Sequence, residues 1–162
     1  MKQTVYAGTA ISVVALLGLL LPSNVFATWT GTEGCTPGYW KNNADTNERA
    51  QALVGITVND AVFDITGINL GDYQAFDGYE NLETEDAVEL QGGGVKAFYR
   101  HLGAAIFNIY YGVESISYID PETDFKDIIQ MAVDGDIEGA KNLLDDANNA
   151  GCSVDAFGNP KD

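Results

Sequence analysis

Several common routes to chemistry are closed by what this sequence holds little of. It carries two cysteines and one histidine, His101. One histidine excludes a multi-histidine zinc site. Its 8 basic residues stand against 24 acids, for a formal net charge of −16. So few cations exclude the usual binding to nucleic-acid phosphates or anionic head groups. Such a surface suits solubility in salt, divalent cations or a cationic partner. No Asn-x-Ser/Thr sequon is present, so N-glycosylation is not expected. No Gly-x-Ser-x-Gly turn marks a hydrolase nucleophile. Gly92-Gly93-Gly94 is not followed by the Lys-Ser/Thr of a phosphate loop, which makes it a helix break rather than an anion site.

What is present begins with an export signal over residues 1–27. Lys2 supplies the positive start, Ile11 to Leu21 is apolar apart from Ser12 and Gly18, and Val25-Phe26-Ala27 offers a cleavage site. The apolar run is short for a membrane span, which needs about 20 residues. An uncleaved signal-anchor is the alternative, and no later stretch is apolar enough to cross a bilayer. The expected location is secreted, extracellular or cell-surface. There Cys35 and Cys152 are better spent on a bridge than on a metal. That bridge closes a loop of about 117 residues, for which chain entropy gives roughly 4 to 5 kcal/mol. The expected organisation is therefore a signal peptide (1–27), one disulfide-closed domain (28–152) and a polar tail (153–162).

Hydrophobic periodicity predicts a mainly α fold: a compact array of four to six helices behind an irregular, aromatic and Gly-rich N-terminal segment, stapled by the terminal disulfide. Thr28 to Asn43 reads as an ordered loop held by Cys35 and by burial of Tyr39 and Trp40. A short helix from Asp45 or Thr46 to Val54 follows. Next comes a turn from Asn59 or Asp60 carrying Val62, Phe63 and Ile65 and ended by Gly67. Asn69 to Leu82 reads as loop, and Thr84 to Leu90 as a short helix. Val95, Phe98, Leu102, Ala105 and Ile109 recur at spacings of three and four, which marks a central buried helix to about Tyr111. Asp120-Pro121-Glu122 opens another helix, with Phe125, Ile128, Ile129, Ala132 and Val133 facing inward. Gly135 ends it and Asp136 caps the last helix, whose stripe is Ile137, Ala140, Leu143, Leu144 and Ala147.

From Gly34 onward the chain resembles a type of exported bacterial and archaeal domain that opens with a Gly-Cys-Thr-Pro-Gly-Tyr/Phe-Trp-Lys-Asn signature. Here it reads Gly34-Cys35-Thr36-Pro37-Gly38-Tyr39-Trp40-Lys41-Asn42. Members commonly continue with His, where this chain has Asn43. Phe63 to Gly67, the triple glycine, Arg100-His101 with Ala104-Ala105 and Asn108, and Lys141 to Cys152 are similar too. The resemblance implies a secreted or surface protein with paired cysteines. It implies no reaction and supplies no catalytic residue.

Candidate sites are few. His101 lies beside the apolar stripe, where a structural role is expected; a Ser-His-Asp arrangement would need Ser115, Ser117 or Ser153. Asp134, Asp136, Glu138 and Asp145, with Gly139 and Asn142, fall at calcium-loop positions. The departures are Glu138 at position 5, Lys141 at position 8 and Asp145 rather than Glu at position 12. The same residues make a capped amphipathic helix, and the two arrangements exclude each other. Asp120, Glu122 and Asp124 offer a weaker oxygen cluster. No cofactor is expected beyond weakly bound calcium. Trp29, Tyr39, Trp40, Tyr73, Phe76 and Tyr79 sit among glycines and acids, as a sugar platform or a plug for a helical bundle. Two expectations follow. One is a non-enzymatic secreted or surface module associating with itself, another surface protein or a glycan. The other is a small secreted hydrolase built on acids, whose carboxylates would stand about 5 to 10 Å apart.

Overall fold

The computed structural model describes residues 35–44, 50–110 and 123–149. The expected signal peptide, Trp29, Ser115, Ser117, Asp120, Glu122, Cys152, Ser153 and the expected tail lie outside the described residues. Six α-helices are described: α1 (Pro37–Asn43), α2 (Val58–Thr66), α3 (Thr84–Ala87), α4 (Val95–Tyr110), α5 (Asp124–Val133) and α6 (Ile137–Asn148). Short 3-10 turns cover Ala50–Leu53, Leu70–Asp72 and Gln74–Phe76. An isolated antiparallel bridge joins Thr57 and Glu83. The mainly helical architecture read from periodicity is the one observed.

Helix α4 is the axis of the fold. Every residue from Leu102 to Ile109 is buried, so this stretch has no solvent face, as befits a helix surrounded by others. It packs against α1, α2, α3 and α6, while α5 lies against α6 and α2. The remaining helices each bury one stripe. In α2 that stripe is Val58, Ala61, Val62 and Thr66; in α5 it is Phe125, Ile128, Ile129 and Ala132.

Three expectations are corrected. The N-terminal segment is not all loop, because Thr36-Pro37 starts a helix. The Thr36 hydroxyl accepts from the Tyr39 amide at 3.2 Å. Pro37 stands at the first helical position, where its missing N–H costs nothing. Leu143, expected in the apolar stripe of the last helix, is 42 % exposed, and Phe63 is 54 % exposed. The spacing of the buried stripe in α2 turns Phe63 outward, and that of Ala140, Leu144 and Ala147 in α6 does the same to Leu143. The expected helix through Val54 is, where described, the 3-10 turn at Ala50–Leu53; residues 45–49 lie outside the described residues.

Helix ends follow their local chemistry. Thr57 caps α2 by accepting from Asp60 at 3.0 Å, and Gly67, at φ 74°, closes it in the left-handed region that glycine favours. Asp136 caps α6 by accepting from Gly139 at 2.9 Å. The turn between α3 and α4 is held by Arg100, whose guanidinium donates to the carbonyls of Leu90 (2.9 Å) and Gly92 (3.2 Å). Helices α3 and α4 approach closely at Gly103 of α4. A Cβ there would meet Ala87 Cβ at 3.0 Å, and the Thr84 carbonyl and Val88 Cγ1 at 3.2 Å. Gly103→Ala is therefore expected to destabilise the fold by about 1–3 kcal/mol in urea titration. Gly93→Ala, with open space around it, is expected to leave the midpoint within experimental scatter. Equal midpoints for the two variants would show that α3 is not seated on Gly103.

Candidate functional site

The polar centre of the molecule lies where α1, α4 and α6 meet. Asn108 of α4 is fully buried, and its carboxamide is bonded on every side. Its Oδ1 accepts from the backbone N–H of Cys35 at 3.2 Å and from the Trp40 indole at 2.9 Å. Its Nδ2 donates to the Cys35 carbonyl and to Asn148 Oδ1, each at 2.9 Å. That fills the two donors and two lone pairs of the group. Asn148 Nδ2 in turn donates to the His101 carbonyl at 2.8 Å. The Trp40 ring stacks on Phe107, with centroids 4.9 Å apart and planes 18° from parallel. Tyr39 meets its edge at 5.0 Å. The opening nonapeptide thus acts as a plug: Cys35 and Trp40 dock on Asn108, and Thr36-Pro37 begins the helix that carries the tryptophan.

His101 is linked to this centre through its backbone carbonyl, which Asn148 binds. Its side chain is 12 % exposed, and its Nδ1 lies 3.4 Å from Asp145 Oδ1. The approach is at ion-pair distance but badly aligned, so Nδ1 has no directional hydrogen bond. Burial pushes the imidazole below its ordinary pKa of 6.5. Asp145 opposes that shift, and Arg100 and Lys141 add to it. Asp145 is shared with Asn149, whose side-chain amide donates to its carboxylate. Lys141 is tied to Glu138 at 2.7 Å. The arrangement is a His–Asp pair, and every serine named as its nucleophile lies outside the described residues.

No family model, curated protein or solved structure matches the chain. Its chemistry rests on its own residues.

The four calcium-loop acids are not brought together. Asp134 follows the end of α5, Asp136 is the α6 cap, Glu138 pairs with Lys141, and Asp145 stands further along α6 against His101. The segment takes the capped helix, in which these acids go to separate partners instead of a common ion. Among the described residues no group of three or more His, Cys, Asp or Glu side chains is placed to hold a metal.

The aromatic residues read as a sugar platform face largely inward. Trp40 and Phe76 are buried, and Tyr39, Tyr73 and Tyr79 are half-buried against the core. Tyr79 stacks on Tyr99 at 4.7 Å and 16°, while Phe76 packs on Phe98 at 5.7 Å and on the edge of Tyr99 at 6.0 Å. Burial, then the charges of Glu80 and Tyr79, drives the Tyr99 phenol far above its ordinary value. The plug describes Trp40 and Phe76 better than the platform does.

Sequence reasoning did not single out Asn108 and Asn148 as the polar centre. The available signal was a carboxamide flanked by Ile106, Phe107 and Ile109, a position with no dry alternative to full hydrogen bonding.

The depressed pKa of His101 has a sign. The folded imidazole binds its proton less readily than the unfolded one, so stability is complete above the unfolded value near 6.5 and declines as pH falls through it. Urea midpoints at pH 7.5 and 5.5 should differ for the native chain and differ less for His101→Gln. In Asp145→Asn the difference should grow, because the group opposing the shift is gone. An identical pH response in all three would exclude His101 as the source.

Proposed function

We propose that this chain is a non-enzymatic secreted or cell-surface module that acts by association, with itself, another surface protein or a glycan. One observation carries the reading: the candidate acids of the 134–145 segment, and Glu80, are engaged by separate local partners and do not converge. Asp136 holds the Gly139 amide, Glu138 holds Lys141, Asp145 faces His101 and Asn149, and Glu80 accepts from Gly78. The residues best suited to stacking or polarising a substrate, Trp40, Tyr99 and Asn108, are buried. What faces outward is an acidic coat, which favours cationic or calcium-bridged partners. Export, the Cys35–Cys152 staple and the resemblance to exported microbial domains belong to the same reading. Among the described residues, the His101–Asp145 pair is the feature that favours the alternative, a small secreted acid-based hydrolase.

The test takes the oxidised mature protein, Thr28 to Asp162. Light scattering after size exclusion, with calcium and with chelator, is paired with a glycan-binding screen and a hydrolysis screen between pH 4 and 7. A defined assembly or saturable glycan binding, without turnover above the protein-free rate, is expected. Turnover abolished by His101→Gln or by a single carboxylate-to-amide change would overturn the reading in favour of the hydrolase.

A further inference from the structure

We propose that Asp77-Gly78 is a site of spontaneous covalent modification, at which Asp77 isomerises to isoaspartate while the Glu80 carboxylate takes the amide proton. This goes beyond the association reading and does not depend on it. The chain holds two Asp-Gly pairs, Asp77-Gly78 and Asp134-Gly135. In each, glycine has no Cβ to keep its backbone nitrogen away from the aspartate side chain. The structure sets the two apart. Asp134 is tied down: its Oδ1 accepts from Gln130 Nε2 at 2.9 Å, and the Gly135 N–H donates to the Ala132 carbonyl at 3.1 Å. The Asp134 N–H donates to Gln130 (2.9 Å) and the Asp136 N–H to Met131 (3.0 Å), so the pair is bracketed on both sides. Rearrangement there would undo the link between α5 and α6.

Asp77 is exposed, and no described residue holds its carboxylate. At φ −52° and ψ 133°, with Gly78 following at φ 88°, it has the pattern of a type II turn. The bond from the Tyr79 N–H to the Phe76 carbonyl, 3.1 Å, closes that turn. The Gly78 N–H donates instead to Glu80 Oε1 at 2.9 Å. That contact, ahead of Glu80's own N–H, holds the Glu80 carboxyl below its ordinary pKa. An ionised acceptor thus sits on the proton that must leave before the nitrogen can attack.

In the reaction the Gly78 nitrogen passes its proton to Glu80 and bonds to Cγ of the un-ionised Asp77 carboxyl. The proton returns from Glu80 to the hydroxyl on Cγ, which leaves as water and closes a five-membered imide. Water then adds to one of the two imide carbonyls. Addition at Cγ restores aspartate; addition at the former backbone carbonyl gives isoaspartate, with the chain now running through Cγ. No electrons are exchanged and the mass is unchanged, but the backbone gains a methylene between Phe76 and Tyr79. Those two rings seat the loop on α4, Phe76 against Phe98 and Tyr79 stacked on Tyr99. The modification therefore acts on that seat, and it accumulates with the age of the protein.

The experiment incubates the folded protein at 37 °C and pH 5.5, beside a sample in 8 M urea. Isoaspartate is counted by enzymatic carboxyl methylation and located by electron-transfer fragmentation of peptides. In the folded protein it should form about tenfold faster at Asp77 than at Asp134, the factor set by one further hydrogen bond to break. Glu80→Gln keeps an acceptor and removes the base. It should slow conversion at Asp77 about tenfold, less than a buried base supplies because this one stands in water. In urea the two sites should convert at similar rates, and Glu80→Gln should change nothing. Equal or faster conversion at Asp134 in the folded protein would overturn the assignment of the site. An unchanged or faster rate in Glu80→Gln would overturn the role of Glu80 and make its bond to Gly78 a guard.

Discussion

One buried carboxamide governs this structure. Asn108 sits in the most enclosed stretch of α4, where nothing but protein surrounds it, and it satisfies four hydrogen bonds with three residues from the N-terminal segment and α6. An apolar residue of similar size would take away the partner that Asn108 gives to the Cys35 N–H and C=O, the Trp40 indole and the Asn148 carbonyl oxygen. Each partner so lost costs about 1–3 kcal/mol in a site without water. The net gain from the four bonds is modest, but the cost of any other arrangement is large. That asymmetry fixes the docking of the N-terminal segment and the register of α6 on α4.

The rest of the fold accommodates a helix buried on all sides. Small residues let its neighbours come close: Gly103 admits Ala87 and Val88, and Ala104 and Ala105 are fully buried beside it. The charged side chains of α4 fall near its start, where Arg100 ties down the glycine turn and His101 meets Asp145. His101 pays for that position with a harder protonation. Polar chemistry inside the molecule thus goes largely into holding helices together.

Much of the fold was legible because several segments obey one local rule each. The stripe from Val95 to Ile109, the stop at Gly67, and the Gly135-Asp136 stop and cap are all read from spacing and capping chemistry. The N-terminal helix was not, because Pro37 and Gly38 look like loop residues until Thr36 is recognised as their cap. Leu143 falls in the apolar stripe by hydrophobicity alone, yet it is exposed. A helix buries the stripe its neighbours cover, and those neighbours are tertiary facts. The site was harder still. The acids at 134–145 satisfy a calcium pattern and a helix pattern equally in one dimension, and packing of Ala140 and Leu144 decides for the helix. Asn108 is nearly silent in sequence, since its partners lie 40, 68 and 73 residues away.

The central claim is that the Asn108 hub opens only when the whole domain does. Native-state hydrogen exchange of the Trp40 indole N–H and the Cys35 amide, followed by nuclear magnetic resonance with increasing urea, tests it most directly. The account predicts that both protons exchange with the free energy and urea dependence of global unfolding, alongside the amides in the middle of α4. Exchange of either proton at a much lower free energy, insensitive to urea while α4 stays protected, would show that the N-terminal plug detaches on its own and would contradict the account.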